Sequence, residues 1–294
     1  MAEERQAPAA AMARNEEKQV QMPWANLRLP PFPQVAVRVL QLASEDSVPM
    51  LKLCDLISSD PAFASEVLTI ANSALYAPVT PCSSILHAIT MLGATTLQGM
   101  CVTVGVRAYL GKAMSHPAIR NLWRHNLACA LLAQRLADAG YIDKDMAYTA
   151  GILHDVGRIA LAIIQPKGYA ELLEQHKGTP ESMLEAERSA FGWNHCETGL
   201  KLISGWKLSD ELVAVVTDHH QQRRGDGTWD LTELVKVSCA MSSAAGFSAF
   251  AGYQAKNYEQ LLDELPARER RLFPPDIASL THEVGEAIHA IESV

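Results

Sequence analysis

Apolar positions recur with a helical period along almost the whole chain. "QVAVRVLQLAS" places apolar residues three and four apart, the stripe of an amphipathic helix. "SDPAFASEVLTIANSALY" opens with Asp60 at a helix N-cap and Pro61 at the first helical position. "SSILHAITMLG" repeats the logic, with Ser84 as cap and Gly93 as the stop, and "TTLQGMCVTVGVRAYL" follows as another helix. A break at "GKAMSHP" precedes a long amphipathic helix from Pro117 to about Ala139, which Gly140 closes. Further helical runs fall at about 145–163, 168–177, 180–191, 195–204, 209–220 and 230–246, and "FPP" splits the C-terminal tail into two more. β-Branched residues do not form alternating runs bounded by turns, so no strand is expected. The pattern predicts an all-α protein, a two-lobed helical bundle.

Composition sharpens this picture. With 294 residues, 48% of them hydrophobic, the chain can bury one large core or two modest ones. Residues 1–22 are poor in large apolar side chains and read as a disordered leader without the apolar centre of a secretory signal. Apolar runs are broken too often for a bilayer span, so a cytoplasmic protein is expected. A net charge of −8 argues against a general nucleic-acid binder. The six cysteines show no CxxC spacing and are expected to be reduced.

Candidate chemistry lies in the histidines. Of ten, five fall on inward-facing helix positions, together with one aspartate. His125 lies on the stripe Leu122, Cys129, Leu132, Leu136. His154 and Asp155 interrupt the apolar run "GILHDVGRIAL", His195 opens a helix continuing through Gly199 and Leu202, and His219 with His220 extends "SDELVAVV". Each alone reads as readily as a hydrogen-bonded core histidine. Several together would be costly to bury unpaired, and a metal removes that cost. "HHQQRRGDG" adds Arg223 and Arg224, either a phosphate contact or a solvated loop. Asn72 and Ser73 read as local capping groups.

The order H…HD…H…HH resembles the HD superfamily of metal-dependent phosphohydrolases. "LPPFPQVAVRVLQL", "LISSDPAFASEVLTIANSALY" and "SSILHAITMLGATTLQGM" resemble, in order and spacing, the signature segments of its HDOD branch, which is related to the HD-GYP cyclic-di-GMP phosphodiesterases. The likeness covers about residues 27–247. It implies an N-terminal HDOD-type lobe at 23–115, an HD-like metal-pocket lobe at 116–250 and a helical tail at 251–294. It further implies one or two divalent ions (Fe, Mn or Zn) on His125, His154, Asp155, His195, His219 and His220, with Asp155 bridging and Arg158, where relatives carry Lys, meeting a phosphate.

Departures are visible. Ser238-Cys239 stands where relatives place a late metal-binding Asp, leaving Cys239 as either a soft-metal ligand or an inert core thiol. Asn121 replaces a Glu, Gln221 replaces another, and the GYP triplet is missing, which argues against cyclic-di-GMP hydrolysis. Two functions follow from the resemblance. One is a signal-transduction module acting on a protein partner, with a nucleotide or phosphate as a further ligand and the C-terminal helices as a surface for a homodimer. The other is a working metal-dependent phosphohydrolase or phosphodiesterase, with Asp155 and Arg158 in the reaction.

Overall fold

Capping chemistry sets the helix starts of the N-terminal half in the computed structural model, which describes residues 28–43, 49–139, 142–221 and 229–293. Helices α1 (Gln34–Ala43), α2 (Met50–Ser58), α3 (Pro61–Ala71), α4 (Ile85–Leu92) and α5 (Ala94–Leu110) form the first lobe. Asp60 accepts from the backbone amides of Ala62 and Phe63, and Ser84 accepts from that of His87. Gly93 closes α4 at a φ of 91°, a conformation that costs glycine little. Asn72 does more than cap. Its side chain bonds the amide and carbonyl of Cys82 at 2.7 and 3.0 Å, pinning the α3–α4 loop, so the local capping reading is corrected.

A 3-10 turn leads into α6 (Pro117–Ala137), α7 (Lys144–Leu153), α8 (Val156–Ile164), α9 (Pro166–Gln175) and α10 (Pro180–Phe191). Then follow α11 (His195–Ile203), α12 (Asp210–Asp218), α13 (Leu231–Ala244), α14 (Tyr258–Glu264), α15 (Ala267–Arg270) and α16 (Ile277–Glu292). The tail thus holds three helices where the apolar pattern predicts two. Lys177–Gly178 and Gly252–Tyr253 form a two-residue parallel pairing, the strand contact that periodicity could not reveal. The expected leader, the Gly140 stop and the Arg223-Arg224 loop lie outside the described residues.

One hydrophobic cluster runs from Phe32 to Ile291 and joins the lobes. Phe32 packs against Tyr109 at 5.1 Å and against Trp206, just beyond the end of α11, at 4.6 Å. Lys144–Ile164 is the described segment whose length and hydropathy match a bilayer span, yet 89% of its apolar window is buried inside the fold.

The run 145–163 does not form one helix. α7 ends at Leu153, Asp155 takes φ −100° and ψ 21°, and α8 begins at Val156. The break turns both His154 and Asp155 inward, which an unbroken helix would not do for adjacent residues. Two glycines allow the surrounding helices to close in. A Cβ on Gly151 would stand 2.6 Å from the Ala130 Cα on α6. A Cβ on Gly157 would collide with the His195 carbonyl on α11 and lie 2.6 Å from Gly199 N.

Candidate metal centre

Five helix ends and faces deliver the predicted residues to one place. His125 projects from the middle of α6, His154 and Asp155 sit at the α7–α8 break, and His195 is the first residue of α11. Asn194 and Glu197 fix that start in a reciprocal capping box. His219 and His220 follow the last residue of α12. His125, His154, Asp155 and His195 are at most 2% exposed, and His219 is 4% exposed.

The ring orientations are fixed from behind. Nδ1 of His125 donates to the Phe247 carbonyl at 2.7 Å, that of His154 to Gly151 at 2.7 Å and that of His219 to Val215 at 2.8 Å. Nδ1 of His195 donates to Glu187 Oε2 at 2.6 Å. Carbonyl and carboxylate oxygens only accept, so each Nδ1 carries the proton, and in a neutral ring Nε2 is a bare lone pair. All four Nε2 atoms face Asp155. His125 and His154 approach Oδ2 at 3.9 and 3.6 Å, while His195 and His219 approach Oδ1 at 3.4 Å each. His220 Nε2 meets His195 Nε2 at 2.9 Å.

Lone pairs turned toward a carboxylate repel unless a cation lies between them. Among the described residues, His154 Nε2, His219 Nε2 and Asp155 Oδ1 are buried without a hydrogen-bond partner. Nitrogen and oxygen ligands on one tetrahedral ion at about 2.0–2.1 Å stand about 3.4 Å apart, matching the separations on the Oδ1 side. The residues therefore fit a divalent metal, and Nδ1 anchoring of this kind is how proteins orient metal-binding imidazoles. Asp155, His195, His219 and His220 form one set whose ligand atoms lie within 4.8 Å of one another.

A buried charge network supports this set. Arg158, 1% exposed, reaches Asp155 Oδ2 at 2.9 Å and Glu187 Oε1 at 3.0 Å. Glu187 also accepts from Tyr169 OH at 2.7 Å and from the His195 amide at 2.8 Å. Burial pushes the Asp155 carboxyl up, but Arg158 and the histidines outweigh it and hold it well below the usual range. Glu187 is lowered too, with His195 and Arg158 overcoming its desolvation. His195 is raised to about 10: burial and Arg158 push it down, and Glu187 leads the groups that pull it up.

Periodicity missed Glu187 and Tyr169. The available signal was Glu187 four residues after Met183, both buried on the inner row of α10. Glu187→Gln keeps the shape but cannot accept from all its donors. It is expected to weaken metal binding about 10–100-fold, read by competition with a chromophoric chelator. An unchanged affinity would show that Glu187 does not orient His195.

Arg158 lines a tight cleft of about 10 Å³ beside Asp155, His220, Cys239, Phe250 and Tyr253. Its guanidinium already faces two carboxylates, so a phosphate there would share it with Asp155 and Glu187. Cys239 is not isolated in the core: its Sγ lies 3.5 Å from His125 Nε2.

A model of the HDOD domain matches residues 29–222. An uncharacterised protein of Treponema pallidum (strain Nichols) is 26% identical over 200 residues, 66% of this chain but 38% of that protein. This chain thus spans well under half of that relative. Among solved structures, an HDOD domain protein from Geobacter sulfurreducens superposes with a TM-score of 0.66 at 23% identity, covering 90% of this chain and 92% of that one. A "Putative metal-dependent phosphohydrolase" from Shewanella amazonensis SB2B gives 0.62 at 21% identity, with 90% and 92% covered. A "Putative signal transduction protein" from Marinobacter aquaeolei VT8 gives 0.62 at 22% identity, with 90% of this chain and 58% of that one covered.

Proposed function

The chain belongs to the HDOD domain family, and we propose that it is a regulatory module of signal transduction whose state is set by a divalent metal in the HD-type pocket. One observation carries the metal: the buried Nε2 atoms of His154 and His219, neither with a hydrogen-bond partner, converge from separate helices on a buried Asp155 whose Oδ1 has none either. The ligands come from α11, the end of α12 and the α7–α8 break, so filling the pocket ties these elements into one body. A partner that senses their relative placement would read the loaded state. The names of the Marinobacter and Shewanella proteins support these two halves of the reading, regulation and metal.

The chemistry disfavours a hydrolase as the main role. A bound divalent ion would supply charge stabilisation to a phosphoryl oxygen. Arg158, the nearest cation to the site among the described residues, is neutralised by Asp155 and Glu187, and the described opening is narrow. The remaining elements of the reading are a protein partner, a small phosphate-bearing ligand at most, a cytoplasmic setting in keeping with six unpaired cysteines, and no direct nucleic-acid role at a net charge of −8.

Anaerobic purification and elemental analysis should find about one or more Fe, Mn or Zn ions per chain. Less than about a tenth of an ion per chain after reconstitution with each metal would overturn the reading. A panel of phosphomonoesters, nucleotides and cyclic dinucleotides should be turned over no faster than by the His154→Ala/Asp155→Ala variant. A rate that the double substitution abolishes would make the protein a phosphohydrolase instead.

A further inference from the structure

The position of the missing late aspartate hides a substitution of ligand type. On the Oδ2 side of Asp155, two thiols approach one imidazole, Cys239 from the late-aspartate position and Cys129 from α6. Cys129 lies one helical turn after His125 on α6, and its Sγ is 3.5 Å from His125 Nε2. Cys239 on α13 brings its own Sγ to the same nitrogen, again at 3.5 Å. His154 Nε2 faces the same space, in a side chain 1% exposed, without a hydrogen-bond partner. The ligand atoms of His125, Cys129, His154 and Cys239 all lie within 4.8 Å of one another.

We propose that these four residues form a second metal site, an N2S2 set that selects a soft or borderline ion, zinc foremost, and is chemically distinct from the Asp155–His195–His219–His220 set beside it. The distances suit it. With metal–sulfur bonds of about 2.3 Å and metal–nitrogen bonds of about 2.0–2.1 Å, neighbouring sulfur and nitrogen ligands on a tetrahedral ion stand about 3.6 Å apart. The imidazoles are pre-oriented by Phe247 O and Gly151 O, as at the neighbouring set. Ser242 Oγ stands 3.4 Å from Cys129 Sγ, within reach to donate to a thiolate there. Two thiolates and two imidazoles favour zinc over the harder manganese, whereas the neighbouring carboxylate–imidazole set accepts either. Asp155 Oδ2, 3.6 Å from His154 Nε2, borders both sites and couples their loading.

Only the neighbouring set rests on the proposed function, and cobalt(II) tests the two apart. Apo full-length protein is titrated with cobalt(II) under anaerobic conditions while the near-ultraviolet and visible spectra are recorded. A thiolate-to-cobalt charge-transfer band with intense tetrahedral visible bands is expected. It should persist in His195→Ala/His219→Ala and disappear in Cys129→Ser/Cys239→Ser, where Cys54, Cys82, Cys101 and Cys196 remain. Each single Cys→Ser variant should keep a weakened band. Cobalt uptake by the wild-type chain without a charge-transfer band overturns the N2S2 site and leaves the neighbouring centre standing. A band undiminished by Cys129→Ser/Cys239→Ser, with the variant folded by circular dichroism, overturns it as well. A charge-transfer band with no further cobalt bound at the Asp155–His195–His219–His220 set would support the thiolate site and refute the proposed function.

Discussion

Asp155→Asn is expected to empty the carboxylate–imidazole set and to cost the metal-free protein about 3–5 kcal/mol at neutral pH. Asp155 is 2% exposed and is the common neighbour of Arg158 and four imidazoles. An amide retains the volume but removes the counter-charge, leaving Arg158 paired with Glu187 alone and His195 facing a neutral group. Thermal denaturation should fall by roughly 10 °C or more, and the metal held by the Asp155–His195–His219–His220 set should be lost. The pH dependence has a definite sign. Arg158 and the histidines overcome burial to hold the folded-state carboxyl below its unfolded value of about 3.9. Its contribution is therefore fully present above that unfolded value and is lost as pH falls through the lower folded one. The stability gap between wild type and variant should narrow below about pH 4. A variant that melts within about 2 °C of wild type and keeps the metal of that set would refute the proposed part of Asp155 in holding it.

Gly157→Ala is the second large effect, and it acts through the backbone. The methyl group would meet the His195 carbonyl and lie 2.6 Å from Gly199 N, both main-chain atoms that no rotamer change can move aside. α8 and α11 would have to separate. That displaces Arg158 on one helix and His195 on the other, together with the Glu187 contacts between them. A loss at the upper end of the usual 1–3 kcal/mol overpacking range, or about 4 kcal/mol, is expected from urea denaturation. Added zinc should not restore the wild-type midpoint, because the ligands themselves have moved. Full restoration by zinc would show that the helix pair tolerates the methyl group and that the close approach does not position the site.

Part of the site is legible in the order of residues alone. His125, His154, Asp155, His195, His219 and His220 all stand at inward helical positions, and burial of ionisable groups without a partner is costly enough to suggest a shared purpose. The helix starts are equally legible, since Asp60 and Ser84 act within three residues of themselves. The break at His154-Asp155 is not. Helical periodicity continues across the pair and gives no local signal for a break, which shows only in the backbone of Asp155.

Glu187 and Cys129 show why the rest stays hidden. A glutamate on the amphipathic α10 and a cysteine on the apolar row of α6 each match an ordinary local role. Only the approach of α10 to α8, α9 and α11 gives Glu187 an arginine, a tyrosine and a histidine to hold. Only the approach of α13 to α6 gives Cys129 and Cys239 a common imidazole.

The sequence by itself determined an all-α chain, most of its helix boundaries and the residue types able to hold a metal, because caps, periodicity and ligand chemistry act over a few neighbouring residues. The tertiary structure decided how the imidazoles divide between the two oxygens of Asp155, which groups orient them from behind and that two thiols lie on one side. Those outcomes depend on contacts between residues as far apart as His125 and Cys239, and no local pattern encodes them.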